Sequence, residues 1–187
     1  MKSWFGLGAA CIVAVHLSTA SAQSIPESIS ARGSVQVAFT PWDNAEGMIV
    51  DAINRARTEV LVQAYGFTSR TIADALLTAH RRGVRIRLLA DREQIFSGDN
   101  SRVPDLASAG VSVSLEVRYR SAHNKVMVID PVYADGAVIT GSYNWTYSAQ
   151  HRNAENVVIF RRSPELLRRY AENWYRHFAD ALPYDSH

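Results

Sequence analysis

Short apolar runs alternate with amphipathic helical segments along most of this chain, from about residue 35 to residue 178. Apolar residues at every second position, or in unbroken runs of five or six, are typical of strands, whereas spacings of three and four residues indicate helices. Strands are predicted at 35–39, 60–65, 84–89, 111–115, 125–129, 137–140 and 156–160. Because helical segments separate many of these strands, the pattern predicts a layered α/β domain with helices on both faces of the sheet.

Capping residues indicate where the predicted helices begin and end. Asn44 can cap a helix whose apolar face continues to about residue 56. Thr71 and Asp74 resemble a capping box at the start of a second helix, which Gly83 ends. A short helix is predicted at 102–109, and Ser163, followed by proline, begins a last helix that carries an aromatic stripe.

The first 22 residues have the pattern of an export signal. Lys2 is followed by an almost wholly apolar stretch at 4–17 and by an A-x-A site that ends at Ala22. We expect cleavage after Ala22, export to the periplasm or the medium, and a single mature domain at 23–187; a retained membrane anchor is the alternative. Cleavage would also remove Cys11, the only cysteine, so the mature chain would have neither a disulfide nor a cysteine metal site.

The charge of the chain is nearly balanced, at +2 for the full sequence and +1 once Lys2 is removed. A protein that grips nucleic acid by its overall charge is usually far more basic. Contacts with a polyanion must therefore come from local groups, and Arg118 with Arg120 is the pair of most interest. The mature chain has 18 arginines and a single lysine, Lys125, which suggests a position where a compact ammonium is needed.

His123 and Lys125 stand two residues apart at the start of a predicted strand, so both side chains should point to one face. An imidazole can attack phosphorus while a neighbouring cation stabilises the developing negative charge. Asp130 falls on the opposite parity at the end of the strand, and we interpret it as an organiser of the site.

A second group of polar residues follows the next predicted strand. Gly141 allows a sharp turn or a close approach of the backbone. Ser142 and Asn144 can aim a hydroxyl and a carboxamide at the same phosphate. Glu155 begins the following strand and could accept a hydrogen bond from Nδ1 of His123, which would orient the imidazole.

Taken together, these residues resemble the HKD signature of the phospholipase D superfamily, and the chain from 35 to 178 resembles its small bacterial Nuc/EndA-type endonucleases. The matching residues are His123-x-Lys125-x-x-x-x-Asp130, Gly141-Ser142-x-Asn144 and Glu155, with the stretches 63–68 and 153–158. The resemblance implies a mixed β-sheet flanked by helices, with one HKD motif in the chain. One departure is a longer segment between Asp130 and Gly141, which could alter the rim of the site.

The resemblance also implies a mechanism and an assembly. One histidine attacks phosphorus to form a phosphohistidine, a second protonates the leaving oxygen, and water releases the product. No metal and no cofactor is expected, because Lys125, Asn144 and the imidazoles supply the charge stabilisation. No other histidine is followed two residues later by lysine, so the second imidazole should come from a second chain in a homodimer with the active site at the interface.

The expected residue roles and the open alternatives are as follows. The catalytic set is His123, Lys125, Asp130 and Glu155; Lys125, Ser142 and Asn144 bind the phosphate; Arg118 and Arg120 contact a nucleic-acid backbone. We expect a non-specific endonuclease acting on DNA, with RNA as an alternative substrate. A phospholipase D acting on lipid headgroups and a catalytically idle module that binds nucleic acid or membrane are the other two interpretations.

Overall fold

The computed structural model describes residues 24–30, 32–97 and 100–184, and its strands form one eight-stranded mixed sheet. The strand order is β1-β7-β6-β5-β2-β3-β4-β8. The strands are β1 (Ser34–Thr40), β2 (Glu59–Ala64), β3 (Arg85–Asp91), β4 (Ser112–Glu116), β5 (Lys125–Ile129), β6 (Ala137–Gly141), β7 (Glu155–Arg161) and β8 (Leu182–Pro183). The predicted export signal lies outside the described residues.

Six helices connect these strands and cover both faces of the sheet. They are α1 (Ala45–Asn54), α2 (Arg70–Arg81), α3 (Arg92–Phe96), α4 (Val103–Ser108), α5 (Tyr147–His151) and α6 (Pro164–Ala179). Alternate residues of the central strands belong to different hydrophobic clusters, as the pleat requires. Val60 and Val62 pack on the side of α1 and α2, whereas Leu61 packs with Trp174 of α6. The predicted fold class is therefore confirmed.

Strand direction brings one set of strand ends to a single edge of the sheet. Strands β2, β3 and β4 are parallel, and β5 runs antiparallel to β2. Strands β5, β6, β7 and β1 continue as antiparallel neighbours. As a result, the ends of β2, β3, β4 and β6 lie at the same edge as the starts of β5 and β7. We call this edge the catalytic edge.

Most predicted boundaries agree with the structure, and the differences have local causes. Asn44 caps α1 by accepting a hydrogen bond from Gly47 N at 2.9 Å, as predicted. The cap of α2 is Ser69, whose hydroxyl accepts from Ile72 N at 3.1 Å, so the prediction of Thr71 was wrong. Ser163 precedes α6 without a side-chain capping bond. The short elements α3, α5 and β8 were not predicted, because pieces this short show no clear periodicity.

Strand β1 is present as predicted, but its apolar row is not covered. Ala38 and Thr40 are buried, whereas Val35, Val37 and Phe39 are each about half-exposed. This strand has β7 as its single neighbour and stands at the edge of the sheet. An exposed apolar row of this kind is typical of a surface that another molecule covers.

Among the described residues, none of the helices has the length and apolar character needed to cross a bilayer.

Candidate active site

His123 and Lys125 meet at the catalytic edge. Lys125 is the first residue of β5 and is only 6% exposed, whereas His123 lies in the preceding loop and is exposed. The Nζ atom of Lys125 is 2.8 Å from Nδ1 of His123 and donates to the carbonyl oxygen of His123 at 2.9 Å. The predicted proximity is therefore present: an accessible imidazole rests against a buried amine.

This contact decides which nitrogen of His123 carries the proton. An ammonium only donates, so Nδ1 must accept and a neutral ring must hold its proton on Nε2. A neutral ring in this form cannot act as the acid, because loss of its only N–H proton would leave an imidazolate; a leaving group is protonated by an imidazolium, which carries a proton on both nitrogens. A ring that attacks phosphorus through Nε2 needs its proton on Nδ1 and an acceptor beside it. Both roles therefore require a proton on Nδ1, so this atom must leave the ammonium of Lys125, or that ammonium must lose a proton, before His123 takes either role.

Tyr65 packs against both groups and was not assigned a role from the sequence. Its ring centroid is 4.2 Å from that of His123, and Nζ of Lys125 lies 4.7 Å from the Tyr65 centroid. The Tyr65 backbone N–H donates to the carbonyl oxygen of Asn124 at 3.1 Å, which ties the end of β2 to the start of β5. An aromatic face attracts a cation and restricts a stacked imidazole. Tyr65 is therefore a positioning residue.

Burial changes the acidity of Lys125. Desolvation lowers the pKa of its ammonium, and the negative charge of Glu155 partly opposes this effect. A bound phosphate would act in the same direction as Glu155, because an anion stabilises the charged form of an amine. The site therefore holds a cation whose environment improves when an anion arrives.

Glu155 is bonded differently from the sequence expectation. Its Oε2 atom accepts from the hydroxyl of Ser142 at 2.5 Å, and its Oε1 atom accepts from the side chain of Asn153 at 2.9 Å. The expected acceptance from Nδ1 of His123 is not seen, because Lys125 occupies that side of the ring. Glu155 therefore bonds Ser142 and Asn153 and affects Lys125 through its charge, and its catalytic role remains a prediction.

Ser142 joins β6 to β7. Besides donating to Glu155, its hydroxyl accepts from the backbone N–H of Asn156 at 3.0 Å and from the side-chain amide of Asn156 at 3.2 Å. Gly141, with φ of 153°, makes this close approach possible, since a Cβ there would lie 2.2 Å from the carbonyl oxygen of Asn156. The hydroxyl of Ser142 already has three partners, so its role as a phosphate ligand remains a prediction.

Asn144 has an unused polar atom beside the site. Its Oδ1 atom is buried and has no hydrogen-bond partner among the described residues. A Cβ built on Gly66 would lie 3.8 Å from this oxygen, which places Asn144 next to the turn after Tyr65. A buried polar atom without a partner is costly. This atom is an acceptor, so only the N–H groups of the Asn144 carboxamide could bind a phosphate oxygen, and the role of Asn144 as a phosphate ligand remains a prediction.

Asp130 lies at the other end of β5, away from the imidazole and the amine. The strand rises about 3.3 Å per residue, so five residues separate Asp130 from Lys125 by roughly 17 Å. Its carboxylate accepts from the backbone N–H groups of Arg57, Thr58 and Glu59 and from the hydroxyl of Thr58. Asp130 therefore anchors the loop before β2 and does not reach the reacting atoms, which corrects its inclusion in the catalytic set.

The longer segment between Asp130 and Gly141 forms the hairpin of β5 and β6 at the same distant edge. Ile129 pairs with Ala137 at the hairpin, while Val126 pairs with Thr140 near the catalytic edge. We expected this segment to alter the rim of the active site. That expectation is wrong for the active-site residues of the same chain, because the hairpin projects from the opposite end of the strands.

The two arginines that precede the motif differ in their contacts. Arg118 pairs with Asp180 at the end of α6, with Nη1 and Oδ2 2.6 Å apart. Arg120 is exposed and makes no ion pair with the described residues. Both lie in the connection from β4 to β5, which approaches the catalytic edge. A contact with nucleic-acid phosphates remains a prediction, and Arg120 is the freer of the two.

Asp91 supports the loop that carries His123 and was not recognised from the sequence. It is the last residue of β3 and is buried. Its Oδ2 atom accepts from the backbone N–H of Ala122 at 2.7 Å, and its Oδ1 atom accepts from Gln94 N at 3.0 Å, where it caps α3. The residue before the imidazole is therefore fixed to a sheet strand.

Within the described ranges, no group of three or more His, Cys, Asp or Glu side chains is arranged to hold a metal ion.

The comparisons with known proteins agree on one family. A family model described as "Cardiolipin synthase, PLD-like domain" matches residues 49–178. The chain is 38% identical over 144 residues to a protein named phospholipase D from Rickettsia prowazekii, a match that covers 77% of this chain and 67% of that protein. It is 32% identical over 117 residues to mitochondrial cardiolipin hydrolase from Xenopus tropicalis, which covers 63% of this chain and 53% of that protein.

Solved structures agree with these matches. The phospholipase D family member Nuc from Salmonella typhimurium superposes with a TM-score of 0.76 and 31% identity, covering 82% of this chain and 99% of that one. NucT from Helicobacter pylori shares the fold, with a TM-score of 0.72, 21% identity, and coverage of 81% of this chain and 99% of that one. The chain belongs to the phospholipase D-like family and is a hydrolase of phosphodiester bonds.

Proposed function

We propose that this chain is an exported, metal-independent endonuclease with little sequence preference that cleaves DNA, with RNA as an alternative substrate. The observation that carries the proposal is the exposed imidazole of His123 held against the buried amine of Lys125. An accessible nucleophile or acid beside a fixed cation is what phosphodiester cleavage requires.

The chemistry proceeds in two steps. In the first, one His123 is neutral with its proton on Nδ1; the lone pair on its Nε2 attacks phosphorus, a P–N bond forms, and the P–O bond to the leaving group breaks. The second His123 is an imidazolium, which gives its Nε2 proton to the leaving oxygen and becomes neutral. In the second step that imidazole takes a proton from water, the resulting hydroxide attacks phosphorus, and the P–N bond breaks. The products are an alcohol and a phosphate monoester, and both imidazoles regain their starting forms.

Metal independence rests on the charge that the chain itself supplies. Lys125 provides a buried cation, and Asn144 lies at the same edge, where the N–H groups of its carboxamide could donate to a phosphate oxygen. Two copies of this set would surround a phosphate with two ammonium groups and two imidazoles. That charge can replace the divalent ion that many nucleases use to stabilise the transition state.

A homodimer provides the second imidazole. His80 lies one residue before the end of α2, His151 ends α5 next to Tyr147, and His177 on α6 bonds to buried Glu116. None of the three contacts His123 in the part of the chain that the structure describes. The exposed apolar row of β1 supports an assembly, because a second copy would remove it from water. A twofold axis near the catalytic edge would place the two copies of His123 on opposite sides of one phosphate.

Two features favour nucleic acid as the substrate. Arg120 is exposed next to the site and could meet a neighbouring backbone phosphate. Phe96, Tyr119 and Tyr147 are exposed aromatic residues in connections at the catalytic edge, where bases could stack on them. The similarity to Nuc, which extends over nearly all of that chain, also supports a nucleic-acid substrate.

A phospholipid is the second candidate substrate. The matched proteins from Rickettsia prowazekii and Xenopus tropicalis are named phospholipase D and cardiolipin hydrolase. The aromatic residues at the catalytic edge, with Trp42 at 82% exposure, could also enter a lipid headgroup layer. The cleavage chemistry would be unchanged.

A single set of assays in excess EDTA separates these substrates. Purified protein is incubated with supercoiled plasmid, with single-stranded RNA, and with vesicles of phosphatidylcholine or cardiolipin. We expect plasmid nicking that is lost in His123→Ala and retained in His80→Ala, a matched control far from the site. Headgroup release without nicking would assign the lipid substrate. Tight DNA binding without cleavage of any substrate would assign the idle binding module.

A further inference from the structure

A second, separate cleft lies at the edge of the sheet opposite the catalytic edge. It is open to solvent, has a volume of about 400 Å³, and is bordered by the end of α1 and the β5–β6 hairpin. Its floor is formed by Ala52, Ile129 and Ala137. Its walls carry four arginines, which are Arg55, Arg57, Arg161 and Arg162. This is a dense group of cations for a chain whose net charge is only +2.

The carboxylates that line the cleft do not neutralise all of these arginines. Asp130 is bound by three backbone N–H groups and the Thr58 hydroxyl, and its Oδ2 atom also lies 3.4 Å from Nε of Arg57. Asp135 pairs with Arg57 at 2.5 Å. Outside the lining, Arg55 pairs with Asp51 on the surface of α1 at 2.7 Å.

Arg161 and Arg162 are the lining arginines without an ion pair among the described residues, and Arg161 is the less exposed of the two. It is the last residue of β7, is half-buried, and has no ion pair or side-chain hydrogen bond with the described residues. Burial, and secondarily the positive charge of Arg55, lower the pKa of its guanidinium. A partly desolvated cation beside another cation is unfavourable, and a bound anion would relieve this.

We propose that this cleft binds a phosphate group, as free phosphate or as the terminal phosphate of a monoester, with Arg161 as its principal ligand. A guanidinium presents two parallel N–H donors that match two oxygens of a phosphate. Arg162 borders the same space and adds positive charge, whereas the charge of Arg55 is partly offset by Asp51. The apolar floor leaves room for the carbon portion of a small monoester.

The cleft is independent of the active site. Lys125 and Ile129 are the two ends of β5, so the two sites are separated by the length of a strand, about 13 Å or more. The hairpin that borders the cleft is the segment that is longer than the family usually has. It is closely packed, because a Cβ on Gly136 would lie 2.6 Å from the carbonyl oxygen of Asp130.

Calorimetric titration with two probes tests the proposal. The protein carries Lys125→Met, which removes the cation of the active site, and is titrated with inorganic phosphate and with thymidine 5′-monophosphate. When Arg161→Gln is added to the Lys125→Met protein, we expect its affinity for each probe that binds to fall about tenfold or more. Arg176→Gln, which removes one exposed charge from α6, should leave the affinity unchanged.

The comparison of probes identifies the source of the phosphate. Equal affinities would assign free phosphate, and tighter binding of the nucleotide would assign a monoester. If Arg161→Gln proves unstable, Arg161→Lys replaces it in the test. This variant keeps the charge but not the paired donors, so it should also weaken binding. The proposal is overturned if neither probe binds the Lys125→Met protein, or if the Arg161 variants bind as tightly as the Arg176 control.

Discussion

Replacing Asp130 tests whether this residue of the motif acts in folding or in catalysis. In Asp130→Ala, three backbone N–H groups and the hydroxyl of Thr58 lose a charged acceptor that is only 3% exposed. A hydrogen bond to a charged group contributes about 1.5–3 kcal/mol, and such bonds are not additive when they share one acceptor. Breaking a buried charged network costs about 3–5 kcal/mol, and we expect a loss of that size.

The loss of stability should be visible in thermal unfolding. For a domain of this size each kcal/mol lowers Tm by about 2–4 °C, which predicts a decrease of roughly 6–20 °C. Asp135→Ala is the matched control, since it removes an exposed carboxylate from the same hairpin and should cost less than about 1 kcal/mol. Asp130 has φ of 52°, a backbone conformation that asparagine also tolerates. Asp130→Asn therefore removes the charge without adding backbone strain, and its comparison with Asp130→Ala separates the two effects.

Two further measurements complete the test. Burial alone would raise the pKa of Asp130, but the bonds from Thr58, Glu59 and Arg57 outweigh it and lower the pKa below 3.8. The stabilisation is therefore complete above the unfolded pKa and is lost as pH falls through the folded value, so the mutant and wild type should converge in acid. Turnover per folded molecule at 25 °C should stay within about threefold of wild type. A hundredfold loss of turnover at unchanged Tm would refute the structural role.

Four other predictions concern the active site and its assembly. Lys125→Arg should lower kcat by about 10²–10³-fold with the fold intact by circular dichroism, because a guanidinium does not fit where the compact ammonium lies; near-normal kcat would contradict this. Because burial lowers the pKa of Lys125, the rate of plasmid nicking should begin to decline at a pH below 10.5, the ordinary pKa of a lysine amine. A pH–rate profile that is flat up to pH 10.5 would contradict a catalytic role for the charged form of Lys125. Tyr65→Phe should keep the rate within about twofold, whereas Tyr65→Ala, which removes the ring against His123 and Lys125, should lower kcat roughly tenfold. When wild type and His123→Ala are refolded together, activity should follow the square of the wild-type fraction, whereas a linear decline would show that one chain suffices.

Strands and helices with a clear period could be predicted from the sequence to within a few residues. The run at 60–65 became β2, and Asn44 caps α1 as its position indicated. The five-residue helix α3 could not be found by period, although Asp91 caps it. The apolar alternation of β1 was also readable, but which face is covered depends on the tertiary and quaternary neighbours of the strand.

The candidate site was predictable where the chemistry resides in neighbouring residues of the chain. His123 and Lys125 stand together because they are two positions apart in the chain, with one residue between them. The partners of Glu155 were not predictable, since they depend on the register in which β6 pairs with β7. Tyr65 and Asp91 reach the site from other strands, and nothing in their local sequence indicates which loop they contact.

The shared carboxylate of Asp91 has a mechanical consequence. One oxygen begins α3 and the other holds the amide of Ala122, so a helix on one connection and the histidine on another are tied through a single side chain. Any substrate that displaces α3 must also pull on the loop that presents the imidazole. The position of α3 and the position of the His123 imidazole are therefore coupled through Asp91.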